Sequence, residues 1–151
     1  MNSEEPKEKK EVGLENAKEP KSMTYLEFQG KKIVGLTEKV IVKGTTQTVE
    51  LLARIDTGAT KSSIDLALSN QLGLGPVVDS KLVKSAHGVK LRPIVRAEIV
   101  LGGKTIQAKF TLADRNHMNY SILIGQNILK KNFLVDPSIR ADTPIRKEKQ
   151  E

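Results

Sequence analysis

Leu51-Leu52-Ala53-Arg54-Ile55-Asp56-Thr57-Gly58-Ala59 is the stretch on which the reading of this chain turns. It closes a run from Thr48 to Ile55 rich in β-branched and aliphatic residues, as expected of a strand with a buried face. Asp56 stands at the end of that strand and Gly58 permits a tight turn, so the carboxylate is projected from a rigid support into whatever cleft lies beyond. The same residues also suit an ordinary surface turn, in which an Asp side chain bonds nearby backbone for purely local reasons. From the tripeptide alone, both readings stand.

Upstream, Lys39-Val40-Ile41-Val42 and the Thr48–Ile55 run flank the polar segment KGTTQ, which reads as a β-hairpin. Tyr25 to Phe28 is a further short strand. Downstream, Asp65 to Gly73 has apolar spacing suited to a short helix closing on a glycine. Lys81 to Ala86 is strand-like, His87-Gly88 a turn, and Val89 to Leu101 a longer strand. Gly102-Gly103 then turns the chain into the alternating run Lys104 to Leu112. After a polar loop come Ser121 to Gly125, a short helix over Gln126 to Lys131, and a final strand from Phe133 to Asp136, ended by Pro137. No internal repeat is visible. About eight or nine strands with two short helices predict an all-β, barrel-like domain.

The chain has 151 residues, which is one ordinary domain and too short for two substantial lobes. The absence of Cys excludes a disulfide scaffold, a Cys-ligated zinc site, an iron–sulfur cluster and a thiol nucleophile. No apolar run reaches the ~18 residues of a spanning helix, and the N-terminus shows no apolar signal region, so a soluble cytoplasmic protein without membrane contact is expected. With 25 Lys plus Arg against 18 Asp plus Glu, the formal charge is +7. Residues 1–22 hold 5 Lys and 6 Glu and read as a disordered charged tail, and residues 140–151 hold 4 basic and 3 acidic residues and read as a flexible one. The domain is therefore expected over residues 23–139, where 16 basic and 9 acidic residues carry the excess positive charge. On the folded part, that excess would attract acidic ligands.

The pattern Leu51 to Ala59 resembles the active-site loop of retropepsin-like aspartic proteases, in which apolar residues precede Asp-Thr-Gly-Ala. Leu123-Ile124-Gly125 resembles the apolar-apolar-Gly segment that packs beside that loop in the family. The run Asp114 to Gly125, followed by Phe133-Leu134-Val135-Asp136, is similar to a small prokaryotic subfamily historically labelled ATP-dependent zinc proteases and associated with glutamate ligases that modify a ribosomal protein. The resemblance covers roughly residues 24 to 138. One departure is the order Thr60-Lys61, where the family pattern has the lysine first.

The resemblance implies a retropepsin-like acid-protease barrel acting as an aspartic peptidase. Two carboxyl groups are needed, one to take a proton from water and one to donate to the substrate carbonyl, and neighbouring aspartates share a proton because both cannot ionise cheaply. A chain with one Asp-Thr-Gly implies a homodimer, with Asp56 from each subunit meeting on a two-fold axis. Asp56, Thr57 and Gly58 are then the catalytic set: Thr57 would link the two loops by hydrogen bonds, and Gly58 would let the backbone approach closely. Ala59, the hairpin tip Ala86-His87-Gly88 and Arg92 are the implied substrate-binding residues, with the hairpin as a flap over the cleft. A bare hairpin tip is the plainer reading of His87-Gly88.

Cofactor and metal are both expected to be absent. The two histidines, His87 and His117, are far apart in sequence, no His-Glu-x-x-His pattern occurs, and no Gly-rich phosphate cradle is present. His117 reads as a residue holding its polar loop. Arg54, Lys61, Lys84, Lys90, Arg92, Arg96 and Arg115 gather in sequence around the Asp56 loop and the hairpin. They suggest acidic, Glu-rich peptides as substrate, although an ordinary solvated face accounts for them equally well. Two further readings compete: a retropepsin-like peptide-binding or dimerisation module without turnover, and a basic β-barrel binding RNA. The second is disfavoured by having only 3 Phe, 2 Tyr and no Trp for base stacking.

Overall fold

The computed structural model describes residues 25–142. The chain runs β1 (Glu27–Phe28), β2 (Lys31–Val34), β3 (Thr37–Lys43), β4 (Thr48–Ile55), β5 (Ser62–Asp65), α1 (Leu66–Leu72), β6 (Val77–Ser85), β7 (Gly88–Leu101), β8 (Lys104–Ala113), β9 (Ile122–Ile124), α2 (Gln126–Leu129) and β10 (Phe133–Val135). The larger sheet has the order β3-β4-β9-β5-β8-β7-β6, and β3 also pairs with β7, which closes six of these strands into a barrel. Closure removes the free edge within the barrel and leaves the edges of this sheet to β6 and the first half of β7. A small sheet, β1-β2-β10, packs alongside.

Alternation drives the barrel. Along β4, Val49, Leu51, Ala53 and Ile55 are buried and their neighbours are partly exposed, so every second side chain enters the core. Fully buried Leu51, Ile64, Ile99, Phe110, Ile122 and Ile124 come from five different strands and fill the interior. The expected hairpin of β3 and β4 is present, in antiparallel register from Thr37↔Arg54 to Lys43↔Thr48. The expected short helix is also present: Asp65 accepts from the Leu68 N–H at its start, and Gly73 closes it in the left-handed region at φ 73°.

Three elements depart from the sequence expectation. Ser62 to Asp65 carries no strand signal between the Asp56 turn and the helix expected from Asp65, yet β5 is a central strand, parallel to β8 and antiparallel to β9. It tolerates serine there because the fully buried Ser62 hydroxyl is spent on hydrogen bonds to the Asn127 amide oxygen and from the Gly125 N–H. Lys31 to Val34 forms β2, which is stabilised by parallel pairing with the distant β10, a non-local contact that local pattern does not reveal. β6 begins at Val77 rather than at Lys81, with a register irregularity between Val77 and Asp79. As an edge strand, it accommodates that irregularity without disrupting the barrel.

β7 serves two structures. Its second half, from Ile94 to Leu101, pairs with β8 inside the barrel, whereas Gly88 to Pro93 pair only with β6. Pro93 sits just beyond the last β8 partner, where a missing N–H leaves no ladder bond unmade on that side. The β6–β7 hairpin consequently extends away from the core, and Leu82, Val89 and Leu91 are each more than half exposed.

The expected tail at residues 1–22 lies outside the described residues, as does most of the one at 140–151. Within the latter, the Ala141 N–H donates to Thr37 Oγ1 at 3.0 Å. Among the described residues, no helix is long and apolar enough to cross a membrane. Phe110 has no solvent exposure, so Phe110→Ala is expected to lower unfolding free energy by about 3–5 kcal/mol, read as a shift in the denaturation midpoint at unchanged m-value.

Candidate functional site

The site is built where β4 and β9 end side by side. The two strands run parallel, with Ile55 opposite Ile124, so the chain leaves both at the same end of the barrel. The Asp56 N–H continues the ladder by donating to the Ile124 carbonyl at 2.9 Å. One Asp56 oxygen, Oδ1, accepts from the Gly58 N–H at 2.9 Å, and the Asp56 carbonyl accepts from the Ala59 N–H at 3.3 Å. Asp56 is half-buried, while Thr57 and Gly58 are exposed. The turn thus presents a fixed carboxylate with its loop facing outward.

The segment after β9 braces this turn from behind. Gln126 N–H donates to the Ala59 carbonyl at 2.7 Å and Asn127 N–H to the Thr60 carbonyl at 3.2 Å, which satisfies two amides at the start of α2. The Gln126 side chain donates from Nε2 to the Thr57 carbonyl at 2.7 Å. Gly125 lies against the same loop, where a Cβ would come within 2.4 Å of the Lys61 carbonyl oxygen and 2.7 Å of that of Ala59. This approach explains why a glycine ends the apolar pair Leu123-Ile124: backbone must touch backbone there.

A second support lies under the site. Arg115, in the loop between β8 and β9, is 7% exposed, and its guanidinium donates to the Tyr120 carbonyl at 2.9 Å and to Ser63 Oγ at 3.0 Å. Its backbone N–H donates to Asp65 Oδ1 at 2.8 Å, and Asp65 Oδ2 caps α1. Burial pushes the guanidinium pKa down from its ordinary value, opposed by the negative charges of Asp65 and Asp56. Such a group remains a cation. Arg115 is accordingly removed from the set of cations facing an acidic ligand: it is an internal brace, because its side chain is needed to tie β5 to the β8–β9 loop.

The remaining sequence candidates lie apart from the Asp56 turn. Ala86, His87 and Gly88 form the exposed tip of the β6–β7 hairpin, where the His87 N–H donates to Ser85 Oγ at 3.2 Å. Arg92, half-buried on β7, lies opposite Lys81. Among the described residues, no hydrogen bond or ion pair joins this hairpin to the Asp56 turn. The hairpin has two unlike faces: Leu82, Leu91 and Val89 share one side with Lys84, and Lys81, Lys90 and Arg92 share the other with Val83. His117 is exposed in the β8–β9 loop. Among the described residues, no three His, Cys, Asp or Glu side chains converge as a metal-binding group. Ser62, Gln126 and Asn127 carry little local signal: Gln126 and Asn127 are two amide residues directly after the apolar-apolar-Gly segment, and Ser62 has none.

A closed β-barrel with an Asp-Thr-Gly turn at the end of one strand, braced by a glycine after its parallel neighbour, defines a retropepsin-like aspartic protease domain. Residues 69–147, just over half of the chain, match the model of the RimB-like family, "Retropepsin-like aspartic endopeptidase RimB", and the chain belongs to that family. The Asp56 turn precedes the matched segment. The fold is shared with a protein of unknown function from Legionella pneumophila, at 24% identity and TM-score 0.50 over 74% of this chain and 97% of that one. It is shared too with the EIAV protease bound to an inhibitor, at 19% identity and TM-score 0.51 over 71% and 92% of the respective chains. A 63-residue segment is 35% identical to a probable alpha-L-glutamate ligase of Shewanella halifaxensis, covering 41% of this chain and 14% of that protein. A similar match, 32% over 63 residues and again 14% of the relative, is to a probable alpha-L-glutamate ligase of Parasynechococcus marenigrum.

Replacing Gly125 with alanine sets a methyl group against the Lys61 and Ala59 carbonyls. Gly125→Ala is expected to cost about 1–3 kcal/mol of stability and to shift the amide resonances of Thr57 and Gly58 while leaving those of β7 and β8 in place.

Proposed function

We propose that this protein is a homodimeric aspartic peptidase in which the Asp56 carboxyls of two copies act on one water molecule. The observation that carries this reading is the Asp56 turn itself: the Asp56 backbone N–H donates to the Ile124 carbonyl and its carboxylate accepts from the Gly58 N–H, next to an exposed Thr57 and Gly58. One carboxylate alone cannot be both base and acid in a single step. A symmetric interface supplies the second, since equivalent residues meet on a two-fold axis. The pair then holds one proton between two sites, the ionised member drawing a proton from water as the protonated member donates to the substrate carbonyl oxygen. Thr57 links the two turns through its hydroxyl, Gly58 allows the close approach, and Ala59 borders the bound peptide.

The β6–β7 hairpin acts as the flap, with Ala86, His87 and Gly88 at its tip meeting the substrate backbone and Arg92 contributing positive charge. Its extension beyond the barrel and its exposed apolar face, Leu82, Val89 and Leu91, support this role, because an unpartnered apolar face gains by closing over a ligand. Acidic peptides are the favoured substrate class. The similarity to alpha-L-glutamate ligases fits a substrate rich in glutamate.

Two variants test the reading. Asp56→Asn is expected to lower cleavage of a Glu-rich peptide by about 10²–10⁴-fold while the protein stays folded and dimeric; retained cleavage would remove Asp56 from the mechanism. Thr57→Val is expected to weaken self-association in sedimentation equilibrium and to reduce activity most at low protein concentration. A wild-type protein that is monomeric while active would end the shared-site mechanism.

A further inference from the structure

Five cations of the domain line a single groove on the barrel wall. A groove of about 410 Å³ lies on the outer face of β7 and β8, bordered by α2, and is lined by Lys61, Arg96, Lys109, Lys130, Lys131 and the single carboxylate Asp79. Only Lys61 and Arg96 of these belong to the cations that the sequence gathers around the Asp56 loop and the hairpin. The others are brought in by folding: Lys109 from β8, and Lys130 and Lys131 from the end of α2.

The arrangement works against the fold's own stability. Arg96 and Lys109 are directly opposed across the β7–β8 ladder, both exposed, and like charges in that register repel. None of the five cations forms an ion pair with a described carboxylate. Some polar groups of the groove are already committed: Gln107 Nε2 donates to Glu98, Asn127 bonds the Lys109 carbonyl and Ser62, and Lys131 Nζ donates to the Gln107 carbonyl at 3.2 Å. What the groove offers a ligand is therefore charge on flexible stems, with no aromatic surface for stacking a base.

We infer that this groove is a docking site for a carboxylate-rich peptide segment, separate from the Asp56 site and engaging substrate residues remote from the bond that is cut. The identity of the ligand as peptide rests on the proposed peptidase activity. The groove is joined to that site through shared elements of the chain. Lys61 lies in the loop that Asp56 opens, and α2, which borders the groove, donates from Gln126 and Asn127 to Ala59 and Thr60 of the same loop. A chain held in the groove is thereby directed toward the turn, while the groove itself takes no part in proton transfer.

The test uses full-length Asp56→Asn protein, so that binding is read without turnover, and the fluorescence anisotropy of a labelled Glu-rich peptide. Binding is expected to weaken steeply as salt brings the Debye length below about 10 Å. Adding Arg96→Gln and Lys109→Gln together is expected to weaken it about fivefold and to flatten the salt dependence, with Arg96→Lys retaining most of the affinity. Unchanged binding in the double variant overturns the inference. Displacement of the peptide by a lower concentration of an RNA oligonucleotide of matched charge overturns it in favour of nucleic acid. Thermal melting confirms that these surface variants remain folded. In the wild-type background, the double variant is expected to cleave a short neutral peptide normally and a Glu-rich one with raised KM. Salt-sensitive binding without any wild-type cleavage would end the peptidase reading while leaving the groove. Normal cleavage of both peptides by the double variant would end the groove alone.

Discussion

Everything at the functional end of this domain depends on one close contact of two backbones: Gly125 lying against the carbonyls of Ala59 and Lys61. Because β4 and β9 are parallel neighbours, their ends coincide, and the chain leaving β9 has to pass the chain leaving β4 within a distance that admits no side chain. The Asp56 N–H, the Gln126 N–H and the Gln126 side chain all bond across that seam. A carboxylate on a free loop would sample many orientations; here its main chain is held on one side by a ladder bond and on the other by α2. Orientation of this kind is established when the barrel closes, before any ligand arrives.

A second layer holds the first. Ser62 and Asn127 join β5 to α2, and Arg115 joins β5 to the β8–β9 loop, so the two elements flanking the Asp56 turn are tied together by buried polar groups. Placing a guanidinium in the interior is expensive unless its donors are met, and two of Arg115's contacts, with Tyr120 and Ser63, address that cost. The negative charges of Asp65 and Asp56 also favour its ionised form. Charge is thus used in two ways: one cation is enclosed to stiffen the support, and a group of others stands on the outer wall without a carboxylate partner among the described residues.

Much of this was legible in the residues. The alternation of β4, the Asp65 cap with Gly73 at the helix end, and the Gly102-Gly103 turn are local signals, and the structure places those elements where the pattern indicates. What escaped notice was non-local. Thr60 to Ser63 reads as polar, and only the position of Ser62 between β8 and β9 shows that its hydroxyl is satisfied internally. Lys31 to Val34 becomes a strand because β10 arrives beside it from a hundred residues away. Arg115 is indistinguishable by composition from the solvated cations around it, and its burial follows from the path of the loop that carries it. The Asp-Thr-Gly motif was legible for the opposite reason, because its geometry is set within a few residues by strand end, Asx-type bond and glycine.

The double membership of β7 divides the molecule into two mechanical regimes. From Ile94 onward, the strand is clamped on β8, and further along on β3 as well; before Pro93, its one neighbour is β6. Bending therefore concentrates at the point where the second neighbour is lost, and proline marks that point with a residue that has no amide hydrogen to surrender. The hairpin is thus a cantilever rooted in the barrel wall, its free arm continuous with the part of β7 that β8 and β3 hold in place.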